Sequence, residues 1–178
     1  MPFITQWLKE FDQEMPSTRR VLERVPRDKG DWRPHPKSFP IGHLAQLIAG
    51  MPGWSASVAR GENIDLSKGG AYSFEPTEKL VALFDKNVAE AKAAVEQMDE
   101  SDLDTPWSLM MGERTLMTMP RWEVLRQNMG HLSHHRGQMS VYLRLLDIPV
   151  PAIYGPVGGR SGRILALASA QAFPASTR

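Results

Sequence analysis

The stretch Asn128-Met-Gly-His131-Leu-Ser-His134-His135-Arg136-Gly-Gln138-Met-Ser-Val-Tyr142-Leu-Arg-Leu-Leu146 reads as one helix. Val124, Asn128, His131, His135, Gln138, Tyr142 and Leu145 recur along it at steps of three and four, the signature of a single helix face. Three of the chain's five histidines fall between His131 and His135. Residues four apart are offset by only about 40° after a full turn, so His131 and His135 stack and present two nitrogen donors in one direction. His134 points about 60° away from His131 and is expected to flank the pair. Solvated surface histidines, or core histidines bonded to carboxylates and carbonyls, also fit this spacing. Position tilts the reading toward a metal, because the pair shares its stripe with Val124 and Tyr142, and a buried imidazole without a partner is costly.

A third nitrogen has to come from elsewhere, and His43 is the best candidate. It belongs to a second apolar helix, expected from about Phe39 to Ala59, where His43, Leu47, Gly50 and Trp54 form one stripe. Ser38 before Phe39-Pro40 resembles an N-cap, and Pro52 is expected to kink the helix. A first helix is marked by Ile4, Trp7, Leu8, Phe11, Met15, Leu22 and Val25, and stops at the Pro26 to Gly30 breaker. A third opens at Glu75-Pro-Thr-Glu and buries Leu80, Leu83, Phe84, Val88, Ala91, Val95 and Met98. Between them Gly61 to Gly70 is a polar loop. The stretch from Thr105 to Pro120 alternates with period two on both sides of Gly112-Glu113, as a short hairpin or irregular lobe would. The expected fold is all-α: a four-helix bundle with long crossover connections and a small hairpin or irregular insertion before the last helix. Residues 1–155 form this domain, and 156–178 a glycine-rich, then apolar tail.

Composition narrows the function. Lysine plus arginine (21) nearly balances aspartate plus glutamate (20) without blocks, so no basic face for nucleic acid is expected. With no cysteine, a disulfide scaffold, a thiolate metal site and a cysteine nucleophile are excluded together. No signal peptide and no membrane span are visible, so a cytoplasmic protein is expected. The serine-hydrolase elbow, the P-loop and the dinucleotide fingerprint are absent. So is the zincin motif: Leu132 follows His131 where that motif needs a glutamate base. A nitrogen-only set of three suits zinc, nickel, copper or iron and leaves a position open for water or substrate. Asn128 and Gln138 stand close enough to bond a ligand or a bound water. Arg136 lies more than about 90° away and reads as a solvated or interface arginine, and Trp32, Trp54 and Tyr142 read as core.

Ser38-Phe-Pro-Ile-Gly-His43-Leu, together with His131-Leu-Ser-His-His135-Arg-Gly-Gln and the trailing Tyr142-Leu-Arg-Leu-Leu-Asp-Ile-Pro-Val-Pro, resembles the DinB/YfiT-like family of metal-dependent bacterial proteins. The resemblance covers roughly residues 1–155. It implies a four-helix bundle with an unusual connection order, a divalent metal (zinc or nickel) held by His43, His131 and His135, and a homodimer. It also implies a small-molecule substrate, with a low-molecular-weight thiol as co-substrate in some members. The expected function is therefore a metal-dependent enzyme, a thiol-dependent S-transferase or a hydrolase, with catalytic residues unassigned. The alternative is a non-catalytic metal-stabilised binding or stress-response module, favoured by the absence of an acidic residue on the ligand stripe.

Overall fold

A computed structural model describes residues 1–70 and 72–155. Four long helices, α1 (Phe3–Leu22), α2 (Ile41–Arg60), α3 (Thr77–Glu96) and α4 (Arg121–Leu145), surround one core. Each starts directly after a proline, at Pro2, Pro40, Pro76 and Pro120, with ψ between 144° and 148°. The ring holds φ near its helical value while the extended ψ turns the chain in, and proline carries no N–H to leave unpaired. Leu44 N–H and Leu80 N–H close the first turns of α2 and α3 on the carbonyls of Pro40 and Pro76, at 3.0 and 3.1 Å. The expected Ser38 cap is thereby corrected: α2 begins at Ile41 behind Pro40, with no side-chain cap. At its other end Gly61, at φ 74°, lets the Gly61 and Glu62 amides turn back onto the carbonyls of Val58 and Ser57.

The all-α expectation is overturned. Three strands, β1 (Ile64–Asp65), β2 (Pro106–Met111) and β3 (Arg114–Pro120), form a mixed sheet in the order β1-β2-β3. β2 and β3 are the antiparallel arms around Gly112-Glu113, and β1 adds parallel to β2 through Ile64↔Leu109 and Asp65↔Met110. β1 is two residues inside the polar, glycine-bearing loop, too short for any periodicity to show. Only the tertiary position of β2 gives it a partner. Trp107 and Leu109 of β2 pair with Met119 and Met117 of β3 to make one apolar face. On the other face the Ser108 and Thr118 hydroxyls bond at 2.8 Å.

In the bundle α2 packs on α3 and α4, and α1 packs on the same two, so sequential helices α1 and α2 face each other across a diagonal, as do α3 and α4. Both diagonal steps use the long connections, which short loops could not span. The buried apolar positions are those of the helical stripes, among them Trp7, Phe11, Met15, Leu80, Phe84, Ala91 and Val95, while Leu83 is exposed. α2 runs unbroken through Pro52, and α1 through Pro16. Each proline removes an N–H from its helix and opens the ladder locally. Side chains of α3 and α4 reach carbonyls beside these prolines. Asn87 donates to Ala49 O at 2.9 Å, Asn128 to Met51 O at 3.0 Å and to Ser55 Oγ at 2.7 Å, and Arg136 to Glu14 O at 3.2 Å.

Arg136 is the main correction on α4. Far from being solvated, it is 1% exposed and sits against α1, with Nη2 2.6 Å from Glu14 Oε2 and Nη1 3.1 Å from Thr18 Oγ1. Tyr154, beyond α4, closes the cluster by accepting from Arg136 and donating to Glu14 Oε2 at 2.8 Å. Removing one partner of a buried ion pair strands the other, at a cost of roughly 3–5 kcal/mol. Arg136→Leu is expected to lower unfolding free energy in urea by about that much, and adding Glu14→Gln should recover part of it. Additive effects of the two substitutions would contradict the coupling.

Asp65 fastens β1 to the hairpin. Its Oδ1 accepts from Ser67 Oγ (2.7 Å), Ser67 N–H (3.0 Å) and Gly112 N–H (2.8 Å). The Ser67 hydroxyl, then the Gly112 and Ser67 amides, stabilise the charged carboxylate and hold it down to about 2. A depressed carboxylate contributes its stabilisation above its unfolded value and loses it as pH falls through the folded one. The protection of the Gly112 and Ser67 amides, measured as exchange relative to the intrinsic rate at each pH, should therefore hold down to about pH 4 and fall toward about pH 2. Asp65→Ala should show the low protection at every pH.

Candidate metal centre

Residues of the expected site are brought together in part. His131 and His135 face each other with Nε2 atoms 2.8 Å apart and ring centroids 4.5 Å apart. His135 is 7% exposed, and its Nδ1 lies 2.7 Å from Gln138 Oε1. Gln138 Oε1 accepts, so it holds the His135 proton on Nδ1 and leaves the Nε2 lone pair directed at His131. Partial desolvation, then the neighbouring His135 and His134, lower the pKa of the His131 imidazole below its ordinary value, while the residue itself stays exposed. His134 stays exposed, its ring 5.1 Å from that of His135.

His43 is not drawn into this pair. Its ring stacks on Tyr72 at 4.8 Å and lies 4.6 Å from Phe39. The covering segment is seated tightly, since a Cβ on Gly42 would stand 2.3 Å from the Phe74 ring and 2.4 Å from the Tyr72 hydroxyl. Among the described residues no group of three histidine, cysteine, aspartate or glutamate side chains is arranged to hold an ion. The donor chemistry of the pair nevertheless suits a divalent metal. Two imidazoles on one tetrahedral ion, each at about 2.0–2.1 Å, place their nitrogens about 3.3 Å apart, so a slight parting of the two rings would admit it. Gln138 on the far nitrogen of His135 is the kind of outer partner that orients a ligand histidine. Asn128, by contrast, spends its amide on the α2 backbone.

His131 opens onto a cavity of about 340 Å³ between α2, α4 and the sheet. Trp54 and Val58 line it from α2, Val124, Gln127 and Asn128 from α4, and Ile64, Leu66, Trp107, Leu109 and Met117 from the β region. The Trp54 ring is 6.0 Å from His131. Trp32 packs edge-on against Tyr142 instead, 5.7 Å away. Residues of the β lobe escaped the sequence reading as site residues. The only available signal was the alternation that puts Trp107 and Leu109 on one face of β2.

Fold and site together define a four-helix bundle with a histidine pair on its last helix, beside a small sheet that walls an apolar cavity. The chain belongs to the DinB family, whose sequence profile matches residues 1–161. Two crystal structures of DinB-like proteins share the fold. One, from Bacillus subtilis, has a TM-score of 0.64 at 21% identity, over 83% of this chain and 97% of that one. The other, from Bacillus cereus, has a TM-score of 0.66 at 21% identity, over 83% and 95%. Among curated proteins none matches the chain in sequence.

If Gln138 sets the His135 tautomer, nitrogen NMR of the metal-free protein should show His135 protonated on Nδ1 only. Gln138→Leu should relax it to a mixture of tautomers. An unchanged spectrum would assign the tautomer to another group.

Proposed function

We propose that the chain is a metal-dependent enzyme in which His131 and His135 hold a divalent ion, zinc or nickel, with His43 as third ligand. The observation that carries this reading is the convergence of the two Nε2 atoms, one of them stripped of its proton by the Gln138 contact. Such an ion, when bound, supplies a Lewis acid that lowers the pKa of a coordinated water or thiol. The chain's own residues do the rest. Gln138 keeps His135 a lone-pair donor, and the apolar cavity beside His131 receives an apolar substrate. His43, whose ring stacks on Tyr72, would be the third residue to hold the ion. The reactions in order are thiol-dependent S-transfer, with a low-molecular-weight thiol as co-substrate, then hydrolysis, in a homodimer.

One observation favours a second reading, a metal-stabilised binding or stress-response module. Among the described residues no carboxylate lines the cavity to serve as general base.

Elemental analysis of protein purified without a nickel column decides the site. Stoichiometric zinc or nickel is expected in the wild type, with near-complete loss in His135→Ala and His131→Ala and a weakened site in His43→Ala. Metal retained in full by His135→Ala would remove His135 from the site. Chelation separates the two functions: a large fall in melting temperature supports the module, and little change with an intact cavity supports the enzyme.

A further inference from the structure

Trp54, Val58, Trp107, Leu109, Met117 and Val124 make the walls of the cavity, and among the described residues no aspartate, glutamate, lysine or arginine lines it. Its few polar groups are largely committed. The Asn128 amide nitrogen is bonded to α2, and that of Gln127 to Met119 Sδ at 3.3 Å and Glu123 at 3.4 Å. Among the described residues His131 is the one titratable group that lines it. A charged group placed there would lose its hydration with nothing to replace it. Two indoles, Trp54 and Trp107, are among the lining residues, an apolar aromatic surface suited to an aromatic guest.

Size adds a second constraint. A dry apolar cavity of about 150 Å³ holds one benzene ring, and this one, at about 340 Å³, has room for roughly two. The hollow opens at a rim where Leu66 is 41% exposed, and its volume and apolar walls are those of a small-molecule site.

We propose that this cavity binds an uncharged aromatic or aryl-alkyl molecule of about two rings, with its reacting end against His131. That the guest is the substrate rests on the metal-enzyme reading above; that it binds does not. The test is a fluorescence titration of the full chain with N-phenyl-1-naphthylamine, which is neutral, and with 1-anilinonaphthalene-8-sulfonate, the same skeleton carrying a charge. The neutral dye is expected to bind saturably with energy transfer from tryptophan, and the sulfonate at least about ten-fold more weakly. Leu66→Trp, which narrows the rim, and Leu66→Glu, which charges it, should each weaken the neutral dye by about ten-fold or more while circular dichroism and melting temperature hold. Equal affinity for both dyes, or neutral-dye binding untouched by both variants, overturns the proposal. Metal content of the same sample keeps the two readings apart. Dye binding without metal sinks only the metal site, and stoichiometric metal without dye binding sinks only the pocket.

Discussion

The guanidinium of Arg136 is the fixed point of this fold. Burying a charge so completely costs several kcal/mol, and the cost is offset only because the Glu14 carboxylate, the Glu14 carbonyl, Thr18 and Tyr154 meet it at once. No other rotation of α4 about its own axis would satisfy them. His135 is the preceding residue, about 100° around the helix. Seating Arg136 on α1 therefore turns His131 away from α1, toward the cavity between α2 and the sheet. Asn128 completes the alignment from that side by capping the α2 backbone beside Pro52. α4 is thus buried on two faces, one ionic and one carrying the candidate site.

Prolines in α1 and α2 take part in the same logic. Near each proline a helix carbonyl takes a sideways donor, and here the donors are Asn87 of α3 and Asn128 and Arg136 of α4. What would be a defect in an isolated helix becomes a set of addressed contacts between helices. These polar contacts specify register, whereas the apolar stripes supply the bulk of the burial.

Much of the architecture was legible beforehand. Helix positions follow from apolar spacing and from the prolines that open each helix, and the pairing of His131 with His135 follows from four-residue spacing alone. Arg136 was misread because a helical wheel assigns one inside to a helix, and α4 has two. His43 lies on its expected helix, yet its ring direction depends on Tyr72, a residue of a distant loop that no local pattern connects to it. The β lobe was half legible. Alternation exposed the hairpin, while the two-residue strand Ile64–Asp65 exists only because Leu109 and the Gly112 amide are there to pair with it.

By itself, then, the sequence determined the four helices and a pair of imidazoles stacked on the last, because both are set by backbone geometry over a few turns. Tertiary structure alone decided which way that pair faces, what it faces and where the third histidine stands. Those depend on contacts between residues such as Arg136 and Glu14, or Ile64 and Leu109, that are far apart in the chain and are brought together only when the core closes.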